Sequence, residues 1–227
     1  NSGKGLVLYN NNRSFLTKVG GNLVVPADKL WSVDMQGNGN GGAFGQQTPP
    51  HAMSGVESNS GVGNVWNQFT VAGHSGTSTN PSMALVNSIG GAGGVNLSLT
   101  GTITGFSTNG NALIGDYIFV NAGISDPDVD WQLSGLTPGQ TYSMFAYGAT
   151  SRDINLLIDK DGDGSLADES GSLAPGGGLQ IDGIVASPAG TIVGRASPGT
   201  VTEGNWGGFQ LFEEQVGVEV PVGEVRD

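Results

Sequence analysis

Apolar and polar residues alternate in short runs along most of this chain. Val95-Asn96-Leu97-Ser98-Leu99 is the clearest case, and the pattern continues through Thr100 to Ile103. A period of two places alternate side chains on opposite faces of an extended strand, so such runs predict half-buried β-strands. Gly115–Val120 and Thr141–Tyr147 are aromatic-rich and strand-like in the same way, and Asp153–Ile158, Leu179–Val185, Thr191–Arg195 and Trp206–Phe212 follow. Nearer the start, Gly5–Tyr9, Asn22–Pro26, Leu30–Met35 and Asn64–Val71 read as strands too. Turn chemistry separates the runs: Asn109-Gly110, Thr137-Pro138-Gly139, Ser187-Pro188-Ala189-Gly190 and Ser197-Pro198-Gly199. No segment holds a helical period over eleven residues. Many short strands with such turns predict an all-β protein, a β-sandwich or jelly roll with long glycine-rich loops. Gly37–Gly45, Thr48–Gly63 and Gly171–Gly178 are the loops expected.

No shift in composition divides the chain, so residues 1–215 are expected to form one sandwich domain. Residues 216–227 differ. Val216-Gly217-Val218-Glu219-Val220-Pro221-Val222 sets valine against Gly, Glu and Pro, and Pro221 cannot donate to a ladder. This reads as an edge strand or a linker. A terminal alternating strand is also suited to completing a neighbour's sheet.

Composition narrows the setting. Glycine makes up 41 of 227 residues, yet the hydrophobic fraction is 37%, which argues for turns between packed strands and against disorder. The net charge is −12, and the eight Lys and Arg are scattered. Nucleic acid and anionic membranes need a basic patch, so neither is an expected partner. Cysteine is absent, which rules out disulfides and thiolate metal sites. No apolar run approaches the roughly 20 residues of a membrane helix. The chain begins at Asn1 without a methionine, consistent with a removed signal peptide or a trimmed chain.

One segment carries a chemical signature: Asp159-Lys160-Asp161-Gly162-Asp163-Gly164-Ser165-Leu166-Ala167-Asp168-Glu169. Calcium is a hard cation that takes six to eight oxygens at about 2.3–2.6 Å. Alternating aspartates in a tight loop turn every second carboxylate inward, and Gly164 permits the sharp turn. Asp159, Asp161, Asp163, Gly164 and Ser165 match the first half of EF-hand and dockerin loops. The second half departs from them. Ser170 stands where the bidentate Glu belongs, and Asp168 and Glu169 come two and one residues early. The preceding residues read as a strand, so we expect a strand-borne calcium loop with Asp159, Asp161, Asp163, Ser165, Asp168 and Glu169 as its ligands. An acidic surface turn without metal is the bland alternative.

Three further segments occur together. These are Val65-Trp66-Asn67-Gln68-Phe69, the run Trp131–Tyr142 containing Gly135-Leu136-Thr137-Pro138-Gly139-Gln140, and Asn205-Trp206-Gly207-Gly208-Phe209-Gln210-Leu211. Their order over residues 60–215 resembles secreted bacterial surface proteins of the PEP-CTERM sorting type. That resemblance implies export, a β-sandwich and a surface or matrix location. The Pro-Glu-Pro anchor of such proteins is not among these residues. The Gly-Leu-Thr-Pro-Gly-Gln-Thr-Tyr piece is also similar to the fibronectin type III turn that enters a strand.

Other constellations are weaker. Trp66, Trp131 and Trp206 sit among apolar neighbours and are expected in the core. Trp31, beside the Gly/Asn-rich loop, is the better platform for stacking a sugar, with Asn38 and Asn40 to bind hydroxyls. Asp126, Asp128 and Asp130 raise a glycosidase reading, although a solvated loop explains them as well. His51 and His74 are the only histidines, and His74-Ser75 lacks a nucleophile elbow. Gly37–Gly42 fits G-x-G-x-x-G without the strand-then-helix context. The expectation is therefore a non-catalytic, exported, calcium-binding structural protein of the bacterial cell surface or extracellular matrix, self-assembling by strand addition. Its partners would be copies of itself or extracellular polysaccharide. The alternative is a carbohydrate-binding module of a secreted polysaccharide-active protein. A glycosidase or lyase is the remote third reading.

Overall fold

The strand runs expected from alternation build two stacked sheets. The structure, a computed structural model, describes residues 23–38, 56–58, 65–73, 76–107, 113–167 and 169–214. In chain order the strands are β1 (Leu23–Val25), β2 (Leu30–Asn38), β3 (Val56–Ser58), β4 (Trp66–Ala72), β5 (Ser78–Thr79) and β6 (Ser82–Val86). Then come β7 (Ala92–Thr100), β8 (Thr102–Ile103), β9 (Gly105–Ser107), β10 (Asp116–Val120), β11 (Val129–Ser134) and β12 (Thr141–Gly148). The last five are β13 (Ile154–Ile158), β14 (Glu169–Leu173), β15 (Gly178–Val185), β16 (Thr191–Pro198) and β17 (Gly204–Glu213). A 3-10 turn, Ala27–Lys29, precedes β2 and is the one helical turn among the described residues. The structure is thus all-β, as the alternation requires.

The six-stranded sheet runs β14-β13-β16-β11-β7-β6. In β11, Val129, Trp131 and Leu133 are buried while Asp130, Gln132 and Ser134 are half-buried on the other face. That is the alternation of an antiparallel sheet with one wet face. The seven-stranded sheet runs β15-β12-β17-β10-β9, with β2 on β17 and β4 beside β2 in parallel. From β10 onward the chain passes back and forth between the sheets, which is jelly-roll winding.

The main core lies between the sheets. It joins Leu97, Trp131 and Ile192 of one to Val33, Met144 and Phe209 of the other. Trp131 and Trp206 meet at 6.0 Å in its centre. Buried Asn67 ties the sheets at one edge, donating to the Ser32 and Val86 carbonyls and accepting from the Val86 amide. The turn before β12 is the expected one: Gly139 has φ 71°, and the Tyr142 hydroxyl accepts from the Thr137 amide at 3.1 Å.

Four expectations need correction. Val56–Ser58, inside the expected loop Thr48–Gly63, is a strand paired in parallel with β1, and Gly37 and Asn38, the start of the expected loop Gly37–Gly45, still belong to β2. The stretch 171–178 is not wholly loop, because Glu169–Leu173 is a strand paired along β13. β6 and β11 are not among the runs singled out from the sequence: Ser82 and Ala84 weaken the apolar row of β6, whereas Val129-Asp130-Trp131-Gln132-Leu133-Ser134 alternates strictly. β10 and β17 are buried at nearly every position, so their seven-stranded sheet is covered on both faces. Gly5–Tyr9 and the alternating segment after Val216 lie outside the described residues.

Candidate functional site

β13 and β14 form an antiparallel hairpin, and the acidic segment is its connection. Ile158 pairs with Glu169, so the two ends of the loop are adjacent. The loop is pinned further by Asp159 N donating to the Val193 carbonyl and Val185 N donating to the Lys160 carbonyl.

Asp159 organises the loop. It is only 2% exposed, and its carboxylate accepts three backbone amides: Gly162 at 2.9 Å, Asp163 at 3.2 Å and Gly164 at 2.8 Å. Asp161 accepts a second bond from the Asp163 amide, and Asp163 accepts from Ser165 N at 2.7 Å. Gly162 and Gly164 adopt φ 81° and 92°, where a side chain is strained. At Gly162 there is also no space, because a Cβ would lie 3.0 Å from the Val185 carbonyl oxygen.

The outcome brings together three of the six expected ligands. One carboxylate oxygen from each of Asp159, Asp161 and Asp163 lies within 4.8 Å of the others. The Ser165 hydroxyl is turned to its own chain, accepting from Ala167 N at 3.3 Å. Glu169 begins β14 across from Ile158, and Asp168 lies outside the described residues. The donor set is all oxygen, which suits a hard divalent cation.

The sugar-platform expectation meets a different outcome. Trp31 is 4% exposed and belongs to the core between the sheets. A Cβ on Gly93 would lie 2.4 Å from its indole nitrogen, so the absent side chain of Gly93 makes the space for the ring. Its row on β2 faces inward with Val33 and Met35, and no face is left for stacking. Asn38 ends β2 opposite Ala72 of β4, and Asn40 lies outside the described residues. Trp66, Trp131 and Trp206 are buried, as expected.

The remaining acidic run is structural. Asp126 accepts from Thr102 N at 2.7 Å, and Asp130 takes Arg195 in a two-pronged bond at 2.6 and 3.2 Å. His51, His74 and Ser75 lie outside the described residues.

Two features escaped the sequence reading. The first is an open cavity of about 300 Å³ at one end of the sandwich, where the segment after β12 meets the one before β17. Ser151, Arg152, Asp153, Thr202 and Glu203 line it, with Pro175 and Val201 as apolar surface. Arg152 and Glu203 pair at 3.5 Å, and Asp153 accepts from Thr200 N at 2.8 Å. The second is a pair of buried aspartates, Asp34 and Asp116. The one available signal for it was Asp34 itself, a charge inside an apolar strand.

No protein-family model matches the chain, and no curated protein does. Solved structures similar to it include TmCBM61 in complex with beta-1,4-galactotriose, at 18% identity over 52% of this chain and 88% of that one, with a TM-score of 0.32. The enzymatically active domain of tailspike protein 4 of bacteriophage CBA120 is 15% identical over 52% of this chain and 18% of that one, with a TM-score of 0.26. A CBM4 structure is 14% identical over 50% and 87%, with the same TM-score of 0.26. Likeness at this level does not extend to what any of them binds. Among the described residues no helix is long and apolar enough to cross a membrane.

Proposed function

We propose that this protein is a non-catalytic β-sandwich that works outside the cell, at a surface or in a matrix, and that calcium braces its Asp159–Ser165 loop. The observation that carries this reading is the clustering of the Asp159, Asp161 and Asp163 carboxylates at the tip of one hairpin. Asp159 is already committed to folding the loop by its three amide bonds, which leaves Asp161 and Asp163, both exposed, to offer oxygens outward. A divalent ion there would offset the repulsion among three like charges and hold the β13–β14 connection closed. The role is that of a staple in a chain without disulfides. The net charge of −12 disfavours nucleic acid as a partner. The PEP-CTERM resemblance is what supports export and a bacterial surface in this reading, and the alternating sequence after Val216 is what supports assembly by strand addition.

Thermal unfolding with calcium and with a chelator tests the proposal, together with electron microscopy of both samples. Calcium is expected to raise the melting temperature, and ordered assemblies are expected only when it is present. Identical melting and identical particles in both samples would remove the reading.

A second reading, carbohydrate binding, draws support from the cavity around Arg152 and Glu203. Its volume of about 300 Å³ reaches the lower end of ligand pockets, roughly 300–1,000 Å³. A guanidinium, two carboxylates and two hydroxyls around a small apolar surface suit the vicinal diols of a neutral sugar. A glycan array compared between the wild type and Glu203→Gln decides it. Hits that vanish in the variant support the reading, and an array without hits ends it.

A further inference from the structure

The cavity at the end of the sandwich is walled by two connections that are tied to each other. Segment 149–153 joins β12 to β13, and segment 199–203 joins β16 to β17. The Arg152 guanidinium meets Glu203 at 3.5 Å, and the Asp153 carboxylate accepts from Thr200 N at 2.8 Å. Both bonds cross from one connection to the other, so the two walls are joined and a long chain has no passage between them. Pro175, in the turn between β14 and β15, adds a third side.

Each wall is fixed from behind. Thr150 N donates to the Ile114 carbonyl at 3.0 Å, and Asn121 Nδ2 donates to the Thr202 carbonyl at 2.5 Å. Gly199 leaves the room that the Asp153 carboxylate takes, since a Cβ there would lie 2.4 Å from it. Ser151 is held by Asn205 of β17, which is fully buried and donates to the Ser151 hydroxyl at 2.6 Å. Asn205 Oδ1, the other end of that amide, has no hydrogen-bond partner. A buried amide is rarely left half satisfied, and here its one bond fixes a hydroxyl that lines the cavity. The cavity is therefore preformed, which lowers the ordering cost of binding.

The rest of the described surface offers little to a long glycan. Every described Trp and Tyr is buried, and Phe106 and Phe145 are half-buried. The seven-stranded sheet is covered on both faces. Among the described residues no row of exposed rings exists along which successive sugar units could stack. At about 300 Å³ the cavity stands at the small end of ligand pockets.

We propose that this cavity takes the non-reducing end of a neutral glycan, one terminal sugar unit, rather than the interior of a chain. The inference rests on the carbohydrate reading of the cavity and names the part of a glycan that it holds. The terminal unit of a 1,4-linked chain presents three adjacent free ring hydroxyls, whereas an interior unit presents two. The Ser151 hydroxyl, the Asp153 carboxylate and the Arg152–Glu203 pair offer three polar positions, and Val201 and Pro175 offer apolar surface to the C–H face of the ring. Two carboxylates against one guanidinium leave a formal negative charge in excess, which disfavours terminal uronic acids and sulfated sugars.

Calorimetric titration of the full chain with neutral β-1,4-linked gluco-, galacto- and xylo-oligosaccharides of two to six units provides the test. Each series is also titrated after reduction to the alditol and after methylation of the terminal 4-hydroxyl. At least one series is expected to bind with an affinity constant that stays within about twofold from two units to six. Reduction at the far end should leave it unchanged, methylation should weaken it by about tenfold, and Ser151→Ala should weaken it by about threefold to tenfold. Affinity that climbs with each added unit, or that survives methylation, overturns the terminal-unit assignment and leaves sugar binding standing. No binding in any series overturns it as well, and the glycan array then decides whether sugar binding itself survives.

Discussion

Trp131 and Gly194 face each other across the β11–β16 ladder, and the indole lies over the glycine where a side chain would otherwise stand. A Cβ on Gly194 would come within 2.1 Å of the ring. The bulky residue at the centre of the core and the smallest residue on the neighbouring strand are one packing unit. Gly194→Ala is expected to destabilise the fold by about 1–3 kcal/mol through overpacking. Urea unfolding measures it, and a loss below about 0.5 kcal/mol would contradict the fit described.

Trp31 belongs to the same class of contact. Trp31→Ala removes a large buried ring and is expected to cost about 3–5 kcal/mol, like other large aromatic truncations. Its effect should be on stability alone. A Trp31→Phe variant that folds and binds glycans as the wild type does would agree with a buried role, and selective loss of glycan binding would oppose it.

The three loop aspartates should separate by role. Asp159→Ala leaves three amides without their acceptor and should lower stability by about 1–3 kcal/mol even with calcium chelated. Asp163→Asn keeps the loop's shape, so it should lose only the calcium-dependent part of the melting temperature. Calorimetric titration with calcium distinguishes the two. Equal losses in both variants with and without the metal would argue against a metal role.

Asp153 gives the fold a pH dependence in the acid range. Hydrogen bonds from Thr200 hold its carboxyl below the usual range. Its contribution to stability is therefore present above the ordinary carboxylate value and lost as pH falls through the lowered one. The melting-temperature gap between the wild type and Asp153→Asn should close in acid. A gap that widens toward low pH would reverse the assignment.

Asn67 is a polar clamp that sequence patterning does not reveal. Asn67→Leu leaves the Ser32 and Val86 carbonyls and the Val86 amide without a partner at the edge where the sheets meet. A loss of about 2–4 kcal/mol is expected, as unsatisfied buried groups cost about 1–3 kcal/mol each before relaxation. Hydrogen exchange at the Val86 amide reports it directly, and unchanged protection would contradict the clamp.

Much of the sandwich was readable from one dimension. The rows of β7, β13 and β16 alternate because one face meets the core and the other meets water, and a local period records that. The calcium-type loop was equally readable, because its spacing and glycines act within a few residues. β10 and β17 carry no alternation, since both faces of their sheet are covered. Their partners had to come from elsewhere in the chain.

The sequence by itself determined the strand period, the turns, the absence of cysteine chemistry and the acidic hairpin tip, all of which depend on neighbours close along the chain. Only the tertiary structure decided that Trp31 is core rather than platform, since a glycine on β7 makes room for its ring. It alone buried Asp34 and Asp116 and set Arg152 beside Glu203. These outcomes depend on which strands become neighbours, and that is settled by burial of the whole core rather than by any local run of residues.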